Sequence, residues 1–207
     1  MPKRVDHARR RAHIAEALVR LAAREGLHAV TMRGVAAEAD VSLRLVQYYF
    51  ETKGKLMHAA LERLEEQSHQ RWSARLGALP GPVTAHAFID AFLAEALPTD
   101  GPSRDFHLVW TSYATLAMTD PELAAQPFVA GPDRLERQLT EALRRAQDDG
   151  ALGQERDARG EAARLLALSH GLGTGVLVGQ RTPQAALSIL RGHLDQLFGQ
   201  GEVPGGP

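Results

Sequence analysis

The sequence contains no cysteine. That excludes disulfides, thiolate-bound zinc and thiol redox sensing. Long apolar runs are missing too. The longest, Leu165 to Gly179, is interrupted by Ser169 and His170 and falls short of the roughly 20 residues that a membrane-spanning helix needs. The opening MPKRVDHARRR is charged and lacks the apolar stretch of a secretory signal. No segment alternates apolar and polar residues as a half-buried strand would. These absences predict an all-α, cytoplasmic protein with no membrane partner. No Ser/His/Asp order, paired carboxylates or phosphate loop stands out, so neither an enzyme nor a cofactor is expected. The glycines of GLGTG at 171–175 lie inside an apolar helical run, not after a strand as a nucleotide loop requires. His58 with Glu62, and Glu65 with His69, have helical i,i+4 spacing, but two residues do not make a metal site.

What is present is enough chain for a real core: 207 residues, 44% hydrophobic. The net charge of −1 conceals a split. Residues 1–55 hold eleven Lys+Arg against six Asp+Glu, net +5, and the rest hold thirteen against nineteen, net −6. A basic head on an acidic body suggests that only the head meets a polyanion.

Helical periodicity runs throughout. His7 to Glu25 places Ile14, Leu18 and Leu21 on one face, with Asp6 as its expected cap and Gly26 as its left-handed end. Thr31 is the expected N-cap of a short helix to Ala39, Ser42 of another to about Tyr48, and Thr52 of a long helix from Lys53 to about Leu76. That long helix carries Met57, Leu61, Leu64 and Trp72 as its apolar stripe. Further helices are expected over about 83–96, 103–118, 132–148, 158–178 and 183–198. The organisation that follows is a head at 1–54, a body at 55–199 and a disordered tail at 200–207.

Three short helices, the second and third joined by a tight turn, outline a helix-turn-helix. Val35 and Ala36 should face the head core, with Val41, Leu45 or Val46, and Phe50 locking the third helix in place. That leaves Leu43, Arg44, Gln47 and Tyr48 to meet base edges. Arg can pair bidentately with guanine and Gln with adenine, and Leu43 can pack on a thymine methyl. Thr31, Arg33, Ser42, Tyr49 and Lys53, at helix ends and turns, are placed to hold phosphates.

The run TMRGVAAEADVSLRLVQYYFETK resembles the TetR family of bacterial regulators, whose pattern is approximately T-x-R-x-I-A-x-x-A-G-V-S-x-x-x-L-Y-x-H-F-x-x-K. Asp40 stands at the usual turn glycine, and Asp tolerates left-handed φ. Gly34 stands where an acidic residue often completes a capping box. The Gln47-Tyr48-Tyr49-Phe50 end, with LLALSHGL and TPQAALSILRGHLDQLF in the body, looks like the BetI-like subgroup. The resemblance implies a homodimer that reads a palindromic double-stranded DNA operator. It also implies a body that binds an unidentified small-molecule effector, which usually relieves repression. Trp72, Phe106, His107, Trp110, Tyr113, Met118 and His170 are the candidate effector-pocket residues. For the dimer interface, Gly171, Gly175 and Gly179 recur every four residues and would admit a second helix closely, with Leu165, Leu168 and Leu172 supplying apolar area.

Overall fold

The computed structural model describes residues 2–125 and 131–199. Their regular structure is entirely helical: α1 (Pro2–Glu25), α2 (Met32–Glu38), α3 (Leu43–Phe50), α4 (Lys53–Gly77), α5 (Ala85–Glu95), α6 (Gly101–Ala117), α7 (Pro121–Ala124), α8 (Gly131–Asp148), α9 (Ala158–Leu177) and α10 (Pro183–Gly199), with a single 3₁₀ turn at Leu27–Ala29. The expected tail at 200–207 lies outside the described residues. Among those described, no helix is long and apolar enough to cross a membrane.

The chain packs as two compact units. The N-terminal unit takes α1–α3, α4 as far as His69, α6 from Asp105, and α7. Its core joins Ile14 and Leu18 of α1, Val35 of α2, and Val46 and Phe50 of α3 to Leu56, Leu61 and Leu64 of α4 and Tyr113 of α6. The C-terminal unit takes α4 from Gln70, α5 and α8–α10. Ile89 and Leu93, Leu139 and Leu143, Leu165, and Leu190 and Leu194 fill its core. The pairs 89/93, 139/143 and 190/194 are i,i+4 apolar repeats, and Leu165 follows buried Ala162 at i,i+3, which is why these segments bury one face.

Local chemistry sets the helix ends. The hydroxyls of Thr31, Ser42, Thr52 and Thr84 accept the N–H of Gly34, Leu45, Lys55 and Ala87 at 3.0–3.2 Å. Asp6 does not cap α1, which begins earlier, at Pro2; it lies 3.7 Å from Arg10 one turn on. Gly26 has φ +83 but ψ 145, so it leads the chain into the 3₁₀ turn instead of a left-handed helical cap. The one-turn α7 was not expected. Pro121 opens it and Asp120 accepts the N–H groups of Glu122 and Leu123, so the Thr-Asp-Pro stop is also a start.

Candidate nucleic-acid interface

The turn between α2 and α3 is built by hydrogen bonds that only a left-handed residue permits. Val41 N–H returns to Ala36 C=O at 2.9 Å, and Asp40 N–H to Ala37 C=O at 3.2 Å. Asp40 sits between them at φ +52. This is a Schellman closure with aspartate where glycine is usual. Val41 then packs against the core, and Ser42 starts α3.

Buried Val46 and Phe50 fix the inner face of α3. Arg44 and Gln47 are exposed on the other side, and Tyr48 is 68% exposed. Leu43 is different: it is half-buried and packs against the core, so less of it faces outward than expected. At the flanks, Thr31, Arg33 and Ser42 are exposed, whereas Tyr49 and Lys53 are half-buried. Glu38 accepts from Arg20 at 3.0 Å and Arg24 at 2.9 Å, and these bonds hold its carboxyl below the ordinary range, Arg24 contributing most. Arg33, Arg44 and Lys53 form no ion pair among the described residues. Cations of α1 are therefore partly neutralised by the fold, and Lys55 pairs with Glu51 at 2.6 Å, whereas Arg33 and Arg44 stay exposed and cationic.

The exit from α3 was not anticipated. Glu51 has φ +55 and ψ −52, and Thr52 N–H reaches Phe50 C=O across it. This is the strained γ-turn geometry. It bends the chain tightly, so that only Glu51 and Thr52 separate α3 from α4.

The expected effector residues fall in both units. Tyr113 is core in the N-terminal unit, its hydroxyl donating to Leu123 C=O at 3.0 Å. Phe106 and Trp110 pack against that core, and His107 meets the Phe106 ring edge-on. In the C-terminal unit, Trp72 is buried with its ring 4.9 Å from Phe88 and 5.7 Å from Phe92. His170 is half-buried on α9, and burial pushes its imidazole down. Met118, just past α6, is 81% exposed and lines neither core, unlike the other candidates in that unit. A groove of about 640 Å³ between the start of α5 and α8 is lined by Phe88, Arg137, Ala142 and Arg145, among others, and by none of the six remaining candidates.

The glycine stripe also needs correction. Gly171 and Gly175 lie in α9, but Gly179 lies beyond its end, at φ +77. Gln180 N–H bonds Gly175 C=O at 2.8 Å and Gly179 N–H bonds Val176 C=O at 3.1 Å. That second Schellman closure is what position 179 needs glycine for. Leu165 is wholly buried in the C-terminal core and offers no outer surface. Leu172 is half-buried, and Leu168 and Gly171 are exposed.

Residues 14–60 match the pattern described as bacterial regulatory proteins, tetR family. Residues 85–199 match that of the BetI-type transcriptional repressor C-terminal domain. The chain is 29% identical over 174 residues to the HTH-type transcriptional regulator PksA of Bacillus subtilis, covering 83% of this chain and 80% of that one. It is 27% identical over 205 residues to the HTH-type transcriptional regulator BetI of Paraburkholderia phytofirmans, covering 98% and 100%. A transcriptional regulator from Saccharomonospora viridis, solved in complex with choline, superposes with a TM-score of 0.77 at 29% identity, covering 91% of this chain and 95% of that one. With a helix-turn-helix whose outer face is polar and cationic, and with family patterns matching both its head and its C-terminal half, the chain belongs to the TetR family of DNA-binding transcriptional regulators, with a BetI-type C-terminal domain.

Proposed function

We propose that the protein is a homodimeric repressor that leaves a palindromic operator when its C-terminal domain binds a small molecule. The observation that carries this reading is the outer face of α3. Arg44, Gln47 and Tyr48 stand exposed together, with exposed Arg33 and half-buried Lys53 at the flanks. Arg44 reads guanine and Gln47 adenine in the major groove. Thr31, Arg33, Ser42, Tyr49 and Lys53 grip phosphates, and Leu43 contributes only its outer edge.

One such helix makes too few contacts for a long operator, and two on a symmetric dimer meet half-sites about 34–36 Å apart or at a related spacing. Support for the dimer comes from α9 and α10. Leu168 and Ile189 are exposed, as is Val178 just past α9. Among the described residues, nothing beyond α9's own backbone lies within 4 Å of a Cβ placed on Gly171. An open small-residue position beside exposed apolar groups suits close helix packing against a second copy. The helix α4 runs unbroken from Lys53 to Gly77 and is the element we assign to carry effector binding to the head, as a population shift between head separations.

Mobility shifts on the DNA upstream of the protein's own gene test the reading. A sequence-dependent complex that weakens steeply with salt is expected, released by one member of a metabolite panel. Choline and other quaternary ammonium compounds head that panel, because the S. viridis regulator was solved with choline. Equal operator affinity with and without every compound that raises the melting temperature would refute effector release.

A further inference from the structure

His7 and Arg11 are one helical turn apart on α1, and both meet the aromatic end of α3. The His7 ring stands edge-on to Tyr49 with centroids 5.5 Å apart, and lies 6.3 Å from Tyr48. Tyr48 and Tyr49 are themselves edge-to-face at 5.3 Å. The Arg11 guanidinium sits 5.0 Å from the centroid of the Phe50 ring. Three consecutive aromatics are thus held from one face of α1.

These three side chains are graded from inside to outside. Phe50 is buried, Tyr49 half-buried and Tyr48 largely exposed. His7 and Arg11 are exposed and form no ion pair among the described residues. Their described contacts are with the ring cluster. An exposed tyrosine on a surface helix samples several rotamers, and fixing one on DNA costs entropy at the moment of binding. Edge-to-face neighbours restrict that freedom beforehand.

We propose that His7 is a positioning residue for operator recognition: from α1 its ring presets Tyr49, and through it Tyr48, for contact with DNA. Arg11 fixes the base of the same cluster through Phe50. The inference rests on the proposed reading of α3 as the helix that meets the bases. It puts a determinant of that readout outside the helix-turn-helix proper, in the turn of α1 that faces the end of α3.

The test uses the full chain and an operator selected from random DNA. Affinity for that operator and for unrelated DNA is measured for wild type, His7→Ala, His7→Phe, His7→Lys and the pair His7→Ala/Tyr48→Ala. His7→Ala should weaken operator binding about two- to tenfold, the range of one aromatic contact. Unrelated DNA, which feels only the phosphate grip of Tyr49, should lose clearly less than the operator, and the melting temperature should change little. His7→Phe, which keeps a ring without a titratable proton, should match wild type. In the Tyr48→Ala background His7→Ala should cost less than it does alone. Rescue by His7→Lys and not by His7→Phe would mean a direct phosphate contact and overturn the proposal, as would equal loss on both DNAs. A wild type that prefers its operator while His7→Ala behaves identically removes only this proposal. A wild type with no sequence preference removes the reading of α3 and this proposal with it.

Discussion

Arg44 and Lys53 carry the same charge at opposite ends of the α3 region, and their surroundings give them different work. Arg44 is exposed on the outer face of α3, while Lys53 is half-buried at the first residue of α4. Arg44→Ala should flatten base preference at one position of each half-site, worth about 1–3 kcal/mol of discrimination. Lys53→Ala should weaken binding to all sequences alike and lower the salt slope by about one per half-site. Affinities across an operator panel at several salt concentrations decide; the opposite pattern would reverse the two roles. A second residue sets a pH dependence. Burial holds the His170 imidazole below its ordinary value of 6.5, so on acidification the unfolded chain takes up the proton first. The stability from neutral His170 is whole above 6.5 and is lost as pH falls from there through the folded value. Melting temperature should therefore drop from about pH 7 to about pH 5.5 by more in wild type than in His170→Gln; parallel curves would rule out His170 as the source. At this scale, what could be read from the sequence was what depends on neighbours along the chain. Thr31, Ser42 and Thr52 cap where cap chemistry placed them. Leu43, Leu165 and Met118 went elsewhere because burial is decided by which helix arrives from a distance.

Among the helices, α4 and α5 are joined by an acid that hardly sees water. The Glu95 side chain is 5% exposed and lies 2.6 Å from Arg71 and 3.7 Å from Arg75. Removing one partner of such a group leaves charge without compensation. Glu95→Ala should cost about 3 kcal/mol in denaturant unfolding of the C-terminal unit, and Glu95→Gln, which keeps the shape but not the charge, nearly as much. A Glu95→Gln cost near zero would show that packing, not charge, is what Glu95 supplies. Just beyond, the Asp100 carboxylate accepts the Ser103 N–H at 2.8 Å. Ser103 holds it below the usual carboxylate range, its backbone bond contributing most. Nine of the ten described helices, in order, were legible from caps and periodicity, because each buries an apolar face; the one-turn α7 was not. Ends were less so. The four-residue glycine repeat stops being a helical face at Val178, since the hydrogen bonds of Gly179 and Gln180 close the helix there. Periodicity cannot register a closure that repeats the same residue type. The γ-turn at Glu51 was invisible for the converse reason: glutamate is not a residue that announces positive φ.

At the scale of the whole molecule, the exposed apolar groups of the C-terminal unit bear on assembly. Gly171→Leu meets nothing beyond α9's own backbone within 4 Å of its Cβ among the described residues of the single chain, and replaces a helical glycine by a better helix former. It should leave melting of the isolated chain unchanged or slightly higher. On an interface that needs close approach it should also separate the dimer. Sedimentation at micromolar concentration is expected to show dimer for wild type and monomer for Gly171→Leu, with operator affinity lost in parallel. A variant that stays dimeric would move the interface away from this face of α9. The sequence placed Leu168 and Gly171 on α9, and the structure exposes both. It could not separate them from Leu165, since inward and outward leucines follow one another within a turn.

Gly34 has a consequence of another kind. A Cβ there would lie 3.2 Å from both Leu21 Cδ2 of α1 and the Thr31 hydroxyl that caps α2. Whether a side chain is tolerated at 34 therefore depends on what occupies 21, which is epistasis written into the contact between two helices. Gly34→Ala alone gains helix propensity but crowds its own cap; combined with Leu21→Val, it meets more room. A double-mutant cycle on stability should return a coupling of at least about 0.5 kcal/mol, and strict additivity would disprove it. The order in which substitutions arrive then matters. A capping-box acid enters this head more easily once the opposing leucine has been shortened or has shifted.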